Sequence, residues 1–356
     1  MRIIIDIGHP AHVHYFRNFI RIMQGKGHEF LIVARDKEVS QQLLTEYKIP
    51  FVSRGKGKKS VIGKLLYILT ADMLLVKHAR KFKPDFFIGF ASTYAAHAAK
   101  LLGKPCILFD DTEHAKFELF LYRPFATFIF TPFCFNKDLG DKQFRFHAFM
   151  ELCYLHSSYY TPNRNIYNLL GIEQTKKFVL LRFVSWNASH DIGQVGLDIE
   201  TKRSLIEKLK NKYKVFISAE GNLPCEFEPY RIKIPVHRMH DVLAFADLFI
   251  GEGATMASEC GVLGTPAIYV NSLKVGYLQE QENRGLIAGF RNSKGVIEKM
   301  EEWLANENLH AEMKAKRDKM LEEMIDPTKM LVWFVENYPE SARIMKEDPA
   351  FQNIFK

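Results

Sequence analysis

A phosphate is the ligand most easily written onto the run Gly251-Glu-Gly-Ala-Thr-Met-Ala-Ser-Glu-Cys-Gly-Val-Leu-Gly-Thr-Pro-Ala-Ile-Tyr-Val270. It follows an apolar segment, Asp247–Ile250, and small residues from Gly251 to Thr255 open a short helix expected over Thr255–Leu263. The free backbone N–H groups of such a helix start form an anion site. Glu259 sits a little over a turn inside, where its carboxylate can reach a hydroxyl of a sugar beside that phosphate. Together the two would hold a nucleotide sugar. An ordinary βαβ turn with small residues for tight packing has the same spacing.

Three further clusters carry ionisable groups. Asp6-Ile-Gly-His-Pro-Ala-His-Val-His-Tyr15 brings three histidines to the end of a first strand. Gly8 permits close backbone approach, and His9, His12 and His14 titrate near neutrality. His12 and His14 are two apart at a helix start and diverge there, so a phosphate-facing loop or structural histidines are expected before a metal site. Asp110-Asp-Thr-Glu-His114 packs three acids and a histidine into five residues. Neighbouring carboxylates repel, which raises a pKa and leaves a usable general base; a helix N-cap is the alternative use. In Leu181-Arg-Phe-Val-Ser-Trp-Asn187, Arg182 is a cation in an apolar run and calls for an anionic partner, either a diphosphate or Glu220. His237 and Met239 stand in a turn suited to a nucleotide base, and Gln279 or Gln281 opens a polar helix that could reach sugar hydroxyls or simply face solvent.

These groups need a frame. With 356 residues the chain is long for one core, and two domains are expected. Apolar content of 47% and charged content of 25% are ordinary for a soluble protein. Five scattered cysteines without a C-x-x-C pair suggest a reducing compartment, with neither a disulfide frame nor a zinc site. There is no signal-like start and no apolar run long enough to span a bilayer, so a cytoplasmic protein is expected. Charge is uneven: residues 1–172 hold 24 Lys and Arg against 14 Asp and Glu, whereas residues 173–356 hold 25 against 27. A basic half can face an anionic membrane or a phosphorylated acceptor, or be merely a solvated surface. The basic loop Arg54–Lys59 lacks interleaved aromatics, so nucleic acid is not expected.

Short apolar runs at Arg2–Ile7, Glu29–Ala34, Phe86–Phe90, Cys106–Phe109 and Phe128–Thr131 read as buried parallel strands with helices between them. The pattern restarts at Phe178–Phe183, Val215–Ser218, Leu248–Ile250 and Ala267–Val270. Alternating elements imply an α/β chain of two Rossmann-like, doubly wound parallel-sheet domains facing a central cleft, with ligands at the carboxyl ends of strands. The expected limits are 1–165 for an acceptor-side domain, 173–325 for a donor domain, and 326–356 for a helical tail packing back on the first. Phe117-Glu-Leu-Phe-Leu-Tyr-Arg-Pro-Phe125 reads as a core helix, with lipid contact as the alternative.

Gly253-Ala-Thr-Met-Ala-Ser-Glu259, Gly264-Thr-Pro-Ala-Ile268 and Gln281-Glu-Asn283 resemble the donor-binding segment of GT-B glycosyltransferases. The parallels are the peptidoglycan N-acetylglucosaminyltransferase and the UDP-N-acetylglucosamine 2-epimerases. Over its whole length the chain is similar to the family known as domain of unknown function 354. The resemblance implies a GT-B-like fold and a UDP-sugar donor, with Glu259 on ribose hydroxyls, Thr255 and Ser258 near phosphate, and no cofactor. Glu113 stands near the epimerase catalytic glutamate. The transferase's glycine-rich acceptor loop is replaced here by Gly8-His-Pro-Ala-His12.

Two reactions follow. A metal-independent glycosyltransferase would move sugar to a glycan or lipid-linked acceptor at the inner membrane face, with His14, Asp111 or Glu113 deprotonating the acceptor hydroxyl. An epimerase or hydrolase would act on the UDP-sugar itself, with Asp111, Glu113 and His190 handling protons.

Overall fold

The computed structural model describes residues 1–57, 61–184, 196–219 and 221–356. The chain divides into two units, Met1–Tyr159 with Met324–Lys356, and Tyr160–Glu323.

In the first unit the strands are β1 (Arg2–Ile7), β2 (Glu29–Ala34), β3 (Phe51–Ser53), β4 (Phe86–Phe90), β5 (Cys106–Phe109), β6 (Phe128–Pro132) and β7 (Gln143–Phe146). All pair in parallel, in the order β3-β2-β1-β4-β5-β6-β7. Ile3 to Ile7 and all five residues of β4 are buried, as a sheet covered by helices on both faces requires. The helices are α1 (Pro10–Gly25), α2 (Glu38–Glu46), α3 (Val61–Phe82), α4 (Thr93–Leu102), α5 (Lys116–Tyr122) and the short α6 (Leu152–Leu155). In α4 the fully buried Ala95, Ala96, Ala98 and Ala99 let the helix lie close to the sheet, and Gly103 ends it at φ +64°.

The second unit opens with α7 (Ile166–Leu170). Its sheet holds β8 (Phe178–Phe183), β9 (Lys214–Ala219), β10 (Leu248–Gly251), β11 (Ala267–Val270) and β12 (Ile287–Phe290), all parallel in the order β12-β11-β10-β8-β9. Its other helices are α8 (Ile199–Leu209), α9 (Met239–Phe245), α10 (Ala254–Leu263), α11 (Gly276–Asn283), α12 (Val296–Ala305) and α13 (Leu309–Glu323). Val179, Leu181, Ile250 and Ile268 form its core with Leu205 of α8 and with Val296 and Met300 of α12.

The chain then returns to the first unit through α14 (Pro327–Glu336) and α15 (Glu340–Glu347). Pro327 takes the first helical position behind the Asp326 cap, where its missing N–H costs nothing. Phe334 of α14 packs edge-on against Phe130, with ring centroids 4.9 Å apart.

The apolar strands lie where the sequence put them, while β3, β7 and β12 gave no readable signal. β3 has three half-exposed or exposed residues, β7 interleaves Gln143 and Arg145 with Phe144 and Phe146, and β12 contains Gly289. The Phe117–Phe125 segment is not a core helix: Tyr122 is buried, but Phe117 and Phe120 stand in solvent.

Candidate functional site

In each sheet the strand order reverses once, and that reversal is where a doubly wound fold leaves a crevice at its carboxyl edge. In the second unit the reversal falls between β8 and β10, with Arg182 in register with Gly251. A Cβ on Gly251 would lie 2.7 Å from the Arg182 Cβ, so glycine is required for the two strands to end side by side. Gly253 then takes the N-cap position of α10, and no side chain caps the helix. Gly253 to Met256 are half-buried, whereas Ala257 to Val262 are buried. The open end of α10 therefore presents backbone N–H groups beside a guanidinium, a setting suited to an anion. Arg182 donates from Nη1 to Ser218 Oγ at 2.7 Å, which fixes its direction. Glu220, expected as its structural partner, lies outside the described residues, as do Trp186 and His190.

Glu259 is buried, and its Oε1 is 3.0 Å from His240 Nε2 on α9. The imidazole holds this carboxylate in one orientation. His237 sits half-buried in the 3-10 turn Val236–Arg238 that leads into α9. Two expected sugar or phosphate contacts are corrected here. Gln281 and Ser258 are fully buried, and Gln281 Nε2 donates to Ser258 Oγ at 2.8 Å. This pair braces α11 against α10. Both side chains are fully closed off from solvent, and among the described residues Gln281 Oε1 has no hydrogen-bond partner.

Glu252, in the same run, is a further residue that shapes the site. Its carboxylate, 1% exposed, accepts from Val184 N at 3.0 Å and from Leu197 N at 2.8 Å, and pairs with Lys202 Nζ at 3.2 Å. It thus ties the end of β8 to the approach of α8. An acid inside a glycine-rich run was the available signal, because a buried carboxylate needs donors.

In the first unit the reversal falls between β1 and β4. Gly8 and His9 follow β1, and Ala91 and Ser92 follow β4. His9 Nδ1 accepts from Ala11 N and caps α1, while Ser92 caps α4. Ala91 adopts φ +43°, a left-handed conformation that a residue with a Cβ holds only at a cost, and such strain gathers at functional sites. His12 Nδ1 accepts from Gly8 N at 3.2 Å. Burial, then the charges of His9, Arg54 and Lys37, hold His12 well below the usual histidine range. It is a neutral imidazole in a positive environment.

Arg54 lies under this loop. Its Nε donates to Asp6 Oδ1 at 2.7 Å with both side chains almost wholly buried, and its guanidinium stacks on Tyr94 at 4.2 Å. Ser92 Oγ donates to the other Asp6 oxygen at 2.6 Å. Nothing in the sequence pairs residues 6, 54 and 92; the sheet does. His14 departs from its expected role as a base. It is 7% exposed, stacked on Tyr154, with Nδ1 3.4 Å from the Tyr47 hydroxyl, and so belongs to the packing between α1, α2 and α6.

The acids after β5 divide their work. Asp110 is bound to the Tyr122 hydroxyl and accepts from Thr112 N at 2.8 Å, so it is structural, with a pKa raised by burial to about 6. Asp111 accepts from the Thr112 hydroxyl at 2.9 Å. Burial first, then the charges of Asp110 and Glu113, push it up to about 8. At neutral pH Asp111 therefore holds a proton and is an acid, where a base was expected. Glu113 is half-buried and accepts from Asn136 N at 3.2 Å.

Among the described residues no group of three or more His, Cys, Asp or Glu side chains is gathered for a metal ion. A cavity of about 390 Å³ lined by Ile22, Lys26, Trp333 and Glu336 opens at the far end of α1 from the histidine loop.

A family model described as a protein of unknown function, DUF354, matches residues 1–340. The chain belongs to the DUF354 family. The uncharacterized protein MJ0665 of Methanocaldococcus jannaschii is 27% identical over 277 residues, which are 74% of this chain and 80% of that one. Among solved structures, a UDP-GlcNAc 2-epimerase of Neisseria meningitidis bound to UDP-GlcNAc superposes with a TM-score of 0.66 and 12% identity, covering 94% of this chain and 99% of that one. The glycosyltransferase SsfS6 of Streptomyces sp. SF2575 superposes with a TM-score of 0.58 and 14% identity, covering 95% and 100%. These neighbours, with the two doubly wound sheets, bear out the α/β, GT-B-like fold.

Proposed function

We propose that this DUF354 chain is a nucleotide-sugar enzyme in which the second unit binds a UDP-sugar. The observation that carries the reading is the uncapped start of α10, set at the sheet reversal beside Arg182, with Glu259 fixed by His240 a little over a turn inside. The diphosphate would meet the N–H groups of Gly253 to Thr255 and the Arg182 guanidinium, and Glu259 would take the ribose hydroxyls. His237, half-buried ahead of α9, would line the base. The helix dipole and Arg182 can offset charge on a departing UDP, so the proposal needs no metal. The N. meningitidis epimerase binds UDP-GlcNAc and shares the fold, which supports the donor class.

For the reaction we favour transfer of the sugar to a glycan or lipid-linked acceptor in cell-surface polysaccharide synthesis, in the cytoplasm at the inner membrane face. The first unit would supply the acceptor side, with Gly8, His9 and His12 at its loop and Glu113 as the base. A second reading is favoured by Asp111. A buried acid that keeps its proton at neutral pH suits epimerisation of the UDP-sugar itself, where a proton taken from a sugar carbon by a base on one face must be replaced by one given from the other face.

A thermal-shift panel of UDP, GDP, CMP and TDP compounds tests the donor site. UDP and its sugars should stabilise the chain, by about 2.7 kcal/mol at a hundredfold excess over Kd. Glu259→Ala should weaken UDP at least about tenfold, the cost of losing a charged hydrogen bond. Unchanged UDP affinity in that variant would remove the donor-site reading. Incubation with UDP-N-acetylglucosamine alone separates the reactions, since a product without acceptor favours the second.

A further inference from the structure

Three helices of the first unit, α3, α4 and α5, are locked side by side by one histidine. His97 of α4 contacts Asp72 Oδ2 of α3 at 2.7 Å, binds the Leu121 carbonyl of α5 at 3.2 Å, and meets the Phe125 ring edge-on at 4.7 Å. The face turned away from the sheet is unusual for a soluble surface. Leu69 and Met73 of α3, Leu101 of α4, and Phe117 and Phe120 of α5 are each more than half exposed, Phe120 by 74%. Single exposed apolar residues are unremarkable, but three neighbouring helices presenting them together mark an interaction surface.

Cations border this face. Lys77, Arg80 and Lys81 follow Met73 along α3, and Lys100 and Lys104 flank Leu101. Arg123 follows Phe120, and Lys142 donates to the Arg123 and Pro124 carbonyls at 3.1 and 2.9 Å. Burial, then Lys100 and Arg123, lower the Lys142 pKa, so positive charge is crowded here. Glu118 is the exposed acid within α5. No helix among the described residues is long and apolar enough to cross a membrane.

We propose that the α3–α4–α5 face docks peripherally on an anionic lipid bilayer, with its aromatic and aliphatic side chains in the interfacial layer and its cations against lipid phosphates. Protruding apolar chains rimmed by Lys and Arg are the pattern of interfacial helices, for which apolar burial and charge must act together. A second copy of the chain fits worse, because a two-fold contact would bring two faces with the same cationic rim together, with Glu118 as the exposed acid of α5 to offset them. The inference deepens the lipid-linked side of the proposed function. Its assay uses no nucleotide, so it fails or stands apart from the donor site.

The test is co-sedimentation of the full chain with vesicles of phosphatidylcholine alone or with phosphatidylglycerol. Binding should be at least about tenfold tighter to the anionic vesicles and should weaken steeply with salt. Phe117→Ser with Phe120→Ser should cut it about tenfold, since two exposed rings leave the interface while the fold stays intact by circular dichroism. Lys100→Glu with Arg123→Glu should abolish the preference for anionic lipid. Absence of binding to either vesicle overturns the proposal, as does binding that ignores salt and headgroup. Concentration-dependent dimerisation lost in the Phe117/Phe120 variant, without vesicle binding, assigns the face to a second copy instead.

Discussion

Replacing Asp111 with asparagine should make the protein more stable, by an amount that depends on pH. The carboxyl is 7% exposed and sits beside Asp110 and Glu113, with a pKa raised from 3.8 to about 8. The unfolded chain ionises this group near pH 4, while the folded chain keeps it protonated until about pH 8. Between those values the native state binds more protons, so this group's contribution to stability falls as pH rises. The slope is about 1.4 kcal/mol per pH unit, which accumulates to about 4 kcal/mol by pH 7 and levels off above pH 8. Asparagine has nearly the shape of the protonated acid, can still accept from the Thr112 hydroxyl, and does not titrate. Denaturant unfolding of both proteins at several pH values should therefore give curves that coincide near pH 4 and separate toward pH 8, with Asp111→Asn the more stable. If Asp111 supplies the proton in the second reaction above, the same variant loses turnover while gaining stability, as is common where a site is strained for function. Parallel curves with a constant gap would refute the reasoning, because they would mean the carboxyl ionises as freely in the folded protein as in the unfolded one.

Two other perturbations probe the frame. Arg54→Met should destabilise the first unit by about 3–5 kcal/mol, since it leaves the Asp6 carboxylate buried and unpaired, and adding Asp6→Asn should recover much of the loss in denaturant melts. Gly261→Ala should cost the second unit about 1–3 kcal/mol, because its Cβ would lie 2.3 Å from Gln281 Oε1 and would push the amide off Ser258; an unfolding midpoint equal to that of the unmutated chain would show that α10 does not need this brace.

The parallel strands were legible in the sequence because burial on both faces forces unbroken apolar runs, as in Ile3-Ile-Ile5 and Phe86-Phe-Ile88. The start of α10 was legible for a similar reason: its glycines answer to local geometry, the close end of β8 at Gly251 and the open cap at Gly253. Strands β3, β7 and β12 were not, since edge positions tolerate polar and short segments. The roles of single side chains were the hardest to read. His12 and His14 look alike in sequence, yet one lies beside Gly8 and the other is stacked on Tyr154. Gln281 looked like a ligand contact until its partner proved to be Ser258. Phe117 and Phe120 looked like core. By itself the sequence determined the two parallel sheets and the crevice-lining segments, because those follow from local periodicity and glycine placement. Only the tertiary structure decided which acid keeps its proton, which histidine lies beside the loop, and which aromatics face solvent, because burial and charge pairing depend on neighbours far along the chain.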